Sequence, residues 1–211
     1  MLGANKLKVP LSDLQVEKLL QYLDVLLKWN KVHNLCANAT YDHMVAYHLL
    51  DSISVAGSID CNGKNIIDVG TGAGLPGIPL AITTPSCNIT LLDSKAKKIA
   101  FLNHVVNVLG LHNVRVQLSR VENYLPSEPN SEFDIVLSRA FASLTDFVKL
   151  SARLCSATGS LVAMKSDPDE FKLGEIIYND YKIIEIKQLQ IPGVNAKRSL
   201  VVVGHLKDPT I

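Results

Sequence analysis

The sequence predicts an α/β fold: a doubly wound, mostly parallel sheet with an antiparallel C-terminal strand and an N-terminal helical extension. Three observations lead to this prediction. Short apolar strands alternate with amphipathic helices from residue 64 onward, a glycine-rich loop follows the first strand, and only "GVNAK" separates the last two strands. We assign residues 1–60 to a helical cap that is part of the same domain as residues 61–211.

The composition fits one globular domain. The 211 residues are 47% hydrophobic and 19% charged, and 21 basic and 20 acidic side chains give a net charge of +1. This balance argues against disorder and neither requires nor excludes a nucleic-acid partner. No apolar run approaches the roughly 20 residues of a membrane helix, and the N-terminus lacks the apolar core of a signal peptide.

Cysteine usage indicates a reducing compartment. The four cysteines, at positions 36, 61, 87 and 155, form no C-x-x-C pair and have no histidine at zinc spacing. We therefore expect free thiols, no metal site and a cytoplasmic location.

Two helices are predicted before the first strand. Residues 12–30 begin with the capping-box pair Ser12 and Gln15 and continue with an apolar face made of Leu19, Leu23, Leu26 and Leu27. A second helix is predicted over residues 42–56, ending at Gly57.

Alternating strand and helix patterns follow. Strands are predicted at 65–70, 88–93, 113–119, 133–140 and 160–166, with a helix after the glycine loop and further helices at 94–110 and 143–157. Gly159 is interpreted as the end of the last helix. The final strands, at 181–192 and 198–206, must pair antiparallel because five residues are too few for a helical crossover.

The glycine loop indicates a ligand site. Gly72, Gly74 and Gly77 fit G-x-G-x-x-G, which brings bare backbone and a helix N-terminus close to a ligand. Asp93 ends the next strand, where a carboxylate can accept both ribose hydroxyls of an adenosine. The pair predicts an adenosine-containing cofactor; the alternative is a tight strand-to-helix turn without a ligand.

Asp68 favours one cofactor over another. It stands before Gly70 in D-x-G-x-G-x-G, where a buried acid would repel a pyrophosphate but suit a ligand with a positive centre. S-adenosyl-L-methionine carries a sulfonium and an ammonium and no phosphate. A nicotinamide-dependent oxidoreductase is the alternative, although the terminal hairpin leaves no room for the separate catalytic domain that such enzymes usually have.

Motifs along nearly the whole chain resemble those of one family. They are "KWNKVHNL" (28–35), "HLLDS" (48–52), "IDVGTGAGLPGIPL" (67–80), "LLDS" (91–94), "SRVE" (119–122), "SRAFASL" (138–144) and "RSLVVV" (198–203). In this order they resemble the bacterial 16S rRNA guanine-N7 methyltransferases (RsmG or GidB, the glucose-inhibited division protein B family). The chain departs from that pattern at Cys36, where Thr is usual, and at Ser166, where Gly is usual.

The resemblance implies a Rossmann-like class I fold that uses S-adenosyl-L-methionine to methylate N7 of one guanine in 16S ribosomal RNA. It implies that Gly70 and Leu75 line the methionine and ribose side of the cofactor, and that Val121 and Glu122 hold the adenine. Arg139 would face the cofactor or the substrate. The full predicted cofactor set is Asp68, Gly70, Gly72, Gly74, Leu75, Asp93, Val121, Glu122 and Arg139.

The residues after the fourth strand fit this chemistry. Guanine N7 carries a free lone pair and loses no proton on methylation, so positioning and electrostatic support suffice. The chain has "LSRA" there, without the Asn-Pro-Pro-Tyr type of motif used on exocyclic amines or the Pro-Cys used on pyrimidines. Methyltransferases of other substrates, and a non-enzymatic RNA-binding module that would have lost the cofactor acids, remain alternatives.

Basic residues near strand ends are candidates for RNA contacts. We hypothesise that Arg120, Arg139, Lys165 and Arg198 line an RNA-facing rim, whereas the lysines of residues 95–98 are interpreted as a solvated surface. The expected partner is 16S ribosomal RNA, within the small ribosomal subunit or its precursor, bound by a monomer without a metal or a membrane.

His48 and Asp51 share a face of the predicted second helix because they are three residues apart. The resemblance places His48 at the border of the cleft, so His48 joins Arg139 as a catalytic candidate; the alternative is a structural histidine. Trp29 is expected to be a packing anchor, with a base-stacking platform as the alternative. His33 and Asn34 are expected to cap the end of the first helix.

Overall fold

The computed structural model of the chain describes residues 2–36, 40–126, 132–139, 141, 143–166 and 168–206. Within this part of the chain, eight strands form one sheet in the order β3-β2-β1-β4-β5-β8-β7-β6. They are β1 (Asn65–Val69), β2 (Asn88–Asp93), β3 (Val114–Leu118), β4 (Phe133–Ser138), β5 (Cys155–Lys165), β6 (Ile176–Tyr178), β7 (Tyr181–Leu189) and β8 (Arg198–His205).

The first five strands are parallel, and β8 runs antiparallel between β5 and β7. The predicted mostly parallel sheet with an antiparallel C-terminal pair is thereby confirmed. The register pairs Lys165 with Ser199, so the start of β8 lies beside the end of β5. Arg198, at the first position of β8, is therefore at the edge of the sheet where the parallel strands end.

Helices cover both faces of the sheet. They are α1 (Leu2–Lys6), α2 (Asp13–His33), α3 (Tyr41–Met44), α4 (Asp51–Ile53), α5 (Gly77–Thr83), α6 (Ala96–Leu109) and α7 (Leu144–Ser151). Side chains of β1 alternate between two cores: Ile66 packs with α2, α5 and α6, and Ile67 packs with α7 on the other face. None of the helices in these ranges is long and apolar enough to cross a membrane.

The caps at both ends of α2 agree with those predicted from the sequence. Ser12 and Gln15 form the predicted capping box, and Asn34 caps the C-terminal end in a left-handed conformation with φ of 48°. Leu19, Leu23 and Leu26 are buried. Helix α1 had no counterpart in the sequence prediction.

The predicted helix over 42–56 is correct in position but differs in form. A π-helical stretch (Val45–Leu50) connects α3 and α4, and the regular helix ends at Ile53. Gly57 does not end it through a left-handed turn. A Cβ at Gly57 would lie 2.1 Å from the Leu7 carbonyl oxygen, so this glycine allows the chain after α1 to pack closely.

The predicted helix over 143–157 is wrong in its second half. Helix α7 ends at Ser151, a 3₁₀ turn follows, and β5 already begins at Cys155, which pairs with Phe133. Gly159 lies inside β5, where a Cβ would be 2.8 Å from the Phe133 carbonyl oxygen. It is therefore a site of close strand approach and not a helix terminator. The predicted strand over 160–166 accordingly starts five residues too late, and Ala140 of the predicted strand over 133–140 lies outside the described residues.

Candidate active site

The loop after β1 crosses the carboxyl end of β2. The N–H groups of Gly70 and Thr71 both donate to the Leu92 carbonyl oxygen, at 2.9 and 3.1 Å. Gly70 has φ of +70°, and a Cβ there would meet no atom within 4 Å. The backbone at Gly70 is therefore open to a ligand, whereas Gly74 is a packing requirement, because a Cβ at that position would lie 2.5 Å from Ile78.

Asp68 is fully buried beneath this loop. Its Oδ2 accepts hydrogen bonds from the Thr71 hydroxyl at 2.7 Å and the Gly77 N–H at 2.9 Å. Its Oδ1 is buried and has no partner among the described residues. Burial raises the pKa of Asp68 to about 6, although the two hydrogen bonds and the charge of Arg139 act in the opposite direction. A buried carboxylate with one free oxygen suits a cationic ligand.

Asp93 organises the second half of the loop. Its Oδ2 accepts from the Gly72 N–H at 3.0 Å and from Lys98 Nζ at 3.1 Å, and its Oδ1 accepts from the Lys95 N–H at 3.0 Å. Lys98 thus forms an ion pair with Asp93, the acid predicted to bind the ribose. The interpretation of the lysines of residues 95–98 as a solvated surface is therefore wrong for Lys98.

Two contacts from distant parts of the chain hold the segments that contain predicted cofactor residues. The hydroxyl of the fully buried Tyr22, in α2, donates to the Ala73 carbonyl oxygen of the glycine loop at 2.7 Å. Arg153, just before β5, donates through Nη2 to the carbonyl oxygens of Val121 and Tyr124, the latter at 2.8 Å. Neither residue was identified from the sequence, because nothing local marks a partner this far along the chain.

The predicted adenine residues lie on a 3₁₀ turn (Val121–Asn123) that follows β3. Val121 is buried in the core, while Glu122 is exposed on the surface of the turn. Leu75 is buried within the glycine loop. Arg120 immediately precedes the turn and is exposed.

A pocket of about 470 Å³ lies at the ends of β4 and β5 and the start of β8. We call it the arginine pocket; it is lined by His43, Tyr47, His48, Asp51, Arg139, Phe141, Met164, Lys165, Ser166, Glu170 and Arg198. It brings together four of the predicted residues, His48, Arg139, Lys165 and Arg198, but its lining does not include Arg120. The charge of Arg139 lowers the pKa of Asp68, which relates this pocket to the glycine loop.

Asp51 is the buried acid of the arginine pocket. Its Oδ2 lies 3.4 Å from Arg139 Nη1, and its Oδ1 lies 3.3 Å from Arg198 Nε. Arg139 Nη1 also donates to the Tyr47 carbonyl oxygen at 3.3 Å. Burial raises the pKa of Asp51, and the two arginine charges lower it. The sequence pointed to Asp51 only through the helix face that it shares with His48.

His48 and Lys165 are both affected by burial. His48 Nδ1 lies 3.1 Å from the Tyr47 carbonyl oxygen, so the neutral ring donates from Nδ1, and Nε2 is buried without a partner in the described chain. Burial lowers the pKa of His48 to about 4, and the Arg139 charge acts in the same direction. His48 is therefore neutral at pH 7. Lys165 Nζ donates to the Phe141 carbonyl oxygen at 3.1 Å, and burial lowers the pKa of Lys165.

Sequence comparison identifies relatives along almost the whole chain. A family model named GidB and described as rRNA small subunit methyltransferase G matches residues 15–201. The ribosomal RNA small subunit methyltransferase G of Nitrosococcus oceani is 45% identical over 199 residues, covering 94% of this chain and 90% of that protein. Its counterpart in Shigella dysenteriae serotype 1 is 42% identical, covering 92% and 91%.

Solved structures share the fold at low sequence identity. A SAM-dependent methyltransferase from Aquifex aeolicus is 17% identical with a TM-score of 0.55, covering 78% of this chain and 93% of that one. A tRNA methyltransferase from B. subtilis is 13% identical with a TM-score of 0.55, covering 74% and 67%. Together with the sheet order, these likenesses confirm the predicted fold class.

Proposed function

The chain belongs to the GidB family of rRNA small subunit methyltransferases, and from this membership we propose that it methylates N7 of a guanine in 16S ribosomal RNA. The reaction class and the cofactor follow from the family: this is an S-adenosyl-L-methionine-dependent rRNA methyltransferase. We propose guanosine 527, in the standard numbering of that RNA, as the target nucleotide. The nicotinamide-dependent alternative is excluded by the family.

The observation that carries the proposal is the buried Asp68 beside the open backbone of Gly70. Asp68 Oδ1 has no partner among the described residues, and the space that a Cβ at Gly70 would occupy is free. When bound, S-adenosyl-L-methionine supplies a methyl group on a sulfonium centre. Asp68 would support its positive charge, Asp93 its ribose, and Val121 and Glu122 its adenine, so the residues present fit this cofactor.

The arginine pocket is the proposed substrate side. Guanine N7 carries a lone pair and no proton, so its methylation requires no general base. His48, neutral at pH 7 with a pKa of about 4, does not need to move a proton and would shape the pocket. Arg139, Lys165 and Arg198 would supply cationic support to the RNA, and exposed Arg120 would extend that surface past the adenine side.

We propose a monomer that acts in the cytoplasm, without a metal, on the small ribosomal subunit or its precursor. Among the described residues, no group of three or more His, Cys, Asp and Glu side chains could hold a metal ion. We also propose that residues 1–60 are a helical cap of the same domain as residues 61–211, because Leu23 and Leu26 of α2 share a core with α5 and α6.

Labelled S-adenosyl-L-methionine and small ribosomal subunits from a strain lacking this gene test the proposal. The expected product is a single N7-methylated guanosine, identified by nuclease digestion and mass spectrometry. Arg139→Ala should reduce the rate at least tenfold while leaving the fold intact, as judged by circular dichroism. Label on another atom or nucleotide would contradict the proposed target, and an unchanged rate would remove Arg139 from the site.

A further inference from the structure

One carboxylate in the arginine pocket contacts two guanidinium groups. Asp51 comes from α4, Arg139 follows β4, and Arg198 begins β8, with β5 lying between those two strands. Each carboxylate oxygen of Asp51 contacts one arginine, Oδ2 at 3.4 Å and Oδ1 at 3.3 Å. The separation of the two guanidinium groups therefore depends on a residue of the N-terminal cap.

Both arginines keep donors that the protein does not use. Arg139 uses Nη1 for Asp51 and Tyr47, and Arg198 uses Nη1 for the Lys197 carbonyl oxygen. Arg198 Nε lies 3.3 Å from Asp51 Oδ1 in an ion pair that is not a hydrogen bond. The Nη2 groups of both have no hydrogen bond within the described chain. A guanidinium has five N–H donors in a planar fork that matches the oxygens of a phosphate.

The surrounding charges favour an anion. The arginine pocket contains three cationic side chains, Arg139, Lys165 and Arg198, and two acids, Asp51 and Glu170. The side chains of Arg139 and Arg198 remain 23% and 20% exposed, whereas that of Asp51 is 4% exposed. The acid is thus covered, and the two cations extend from it towards the solvent.

The guanine itself is the wrong ligand for these forks. An arginine pairs with guanine through O6 and N7. In this reaction N7 must keep its lone pair free, so a bidentate arginine on that edge would block the methylated atom. A backbone phosphate of the RNA uses the same donors without this conflict.

We propose that Asp51 is a positioning residue that sets Arg139 and Arg198 side by side as a clamp for one phosphate group of the substrate RNA. The proposal rests on the proposed function and extends it to a residue that does not itself touch the RNA. A buried ion pair is a poor source of stability, since desolvation offsets most of its attraction. A role in orienting the two arginines accounts for the burial of Asp51 at this position.

The test compares Asp51→Asn with the unchanged protein in binding to small ribosomal subunits from a strain lacking this gene. Affinity is measured at several KCl concentrations with Mg²⁺ fixed, alongside the dissociation constant for S-adenosyl-L-methionine and the melting temperature. Losing one phosphate contact should lower the slope of log affinity against log salt by about one and weaken binding about tenfold at ~0.1 M salt. The cofactor dissociation constant should not change.

Two further comparisons separate positioning from a general structural effect. Asp60→Asn is the matched control, because Asp60 is exposed and, within the described residues, accepts hydrogen bonds only from the neighbouring Asn62. This variant should bind subunits like the unchanged protein. In an Arg139→Ala, Arg198→Ala background, Asp51→Asn should cause no additional loss. If Asp51→Asn weakened binding as much in the double-arginine variant as in the unchanged protein, the clamp would be overturned. Equal salt slopes for Asp51→Asn and the unchanged protein would also overturn it.

Should Asp51→Asn fail to fold, Asp51→Glu provides a second arm. It keeps the charge and shifts the carboxylate by one methylene, so subunit binding should weaken while cofactor binding does not. Unchanged subunit binding by Asp51→Glu would also overturn the clamp. Failure of the unchanged protein to methylate the guanine would count against the proposed function alone, because the clamp is judged from binding.

Discussion

The protonation of Asp68 depends on burial and on what lies beside its free oxygen. Without a ligand, burial raises its pKa from 3.8 to about 6, partly opposed by Thr71, Gly77 and Arg139, while Asp93 raises it further. Between pH 3.8 and about 6, Asp68 is protonated to a greater extent in the folded protein than in the unfolded chain. This group therefore makes the ligand-free protein less stable as the pH rises from about 4 to about 6, by at most about 3 kcal/mol.

Cofactor binding should show the opposite pH trend. A cationic ligand beside Asp68 favours the carboxylate, so we expect affinity for S-adenosyl-L-methionine to rise as the pH increases through about 6, with release of a proton. Calorimetry in two buffers of different ionisation enthalpy measures both effects. Asp68→Asn, which keeps an oxygen for Thr71 and Gly77, is the matched control and should bind about tenfold more weakly at pH 7.5. Its affinity should not change between pH 5 and 7; the same pH profile in both proteins would contradict the role of Asp68.

The hydroxyl of Tyr22, in the N-terminal cap, forms a hydrogen bond with the glycine loop. Tyr22→Phe removes the 2.7 Å hydrogen bond to the Ala73 carbonyl oxygen and leaves a buried acceptor without a partner. We expect a loss of about 1 to 2 kcal/mol in unfolding free energy and a several-fold higher KM for S-adenosyl-L-methionine. Urea denaturation and steady-state kinetics measure these quantities. Tyr41→Phe, at a 43% exposed position, should change neither; a Tyr22→Phe protein with the same KM would show that the bond is structural only.

Residues of the candidate site could be proposed from the sequence where one local pattern contains both the residue and its structural context. Asp68 and the glycines stand in one motif, and Asp93 ends a strand whose boundaries, 88–93, were predicted as they are observed. Tyr22 and Arg139 contact groups that are 51 and 88 residues away in the chain. Such contacts arise only from the packing of the cap against the sheet, which no local pattern encodes.

At the scale of the elements, the 3₁₀ turn after β3 is held by hydrogen bonds from Arg153, a residue about 30 positions later in the chain. Arg153→Met removes both hydrogen bonds to the carbonyl oxygens of Val121 and Tyr124 while keeping an unbranched side chain. We expect the KM for S-adenosyl-L-methionine to rise about threefold to tenfold, with the KM for ribosomal subunits unchanged. Lys149→Met, on the exposed face of α7, is the matched control. Equal increases in both KM values would instead indicate a general loss of folded protein.

Elements were predicted least well where tertiary contacts override local preference. The segment after α7 continues an apolar helical pattern, yet Cys155 pairs with Phe133 and starts β5. Strand β6 has three residues, pairs only with β7 and exposes Ile176, so its sequence carries no burial pattern. Its turn does carry a local signal, because Asn179 adopts φ of 47°.

At the scale of the whole molecule, the topology was predictable from the alternating strand and helix patterns and from the short link before the last strand. Parallel strands joined by helices, followed by a pair too close for a crossover, leave few arrangements of the sheet. The position of the N-terminal cap was less determined by the sequence. Leu23 and Leu26 of α2 complete the core over α5 and α6, and Trp29 packs edge-on against Phe101 of α6 with ring centroids 5.5 Å apart.

This shared core predicts that cap and sheet unfold together. Trp29 is the one tryptophan of the chain and reports on α2, whereas far-ultraviolet circular dichroism reports on all elements. In urea the two signals should give one coincident transition. Leu23→Ala should shift both transitions to lower urea concentration and reduce the unfolding free energy by about 2 to 5 kcal/mol, because Leu23 is fully buried. Leu20→Ala, at a 41% exposed position of the same helix, should shift neither transition appreciably. A fluorescence transition that precedes the dichroism transition would separate residues 1–60 from the rest as an independent unit, and a shift in Leu23→Ala confined to fluorescence would do the same.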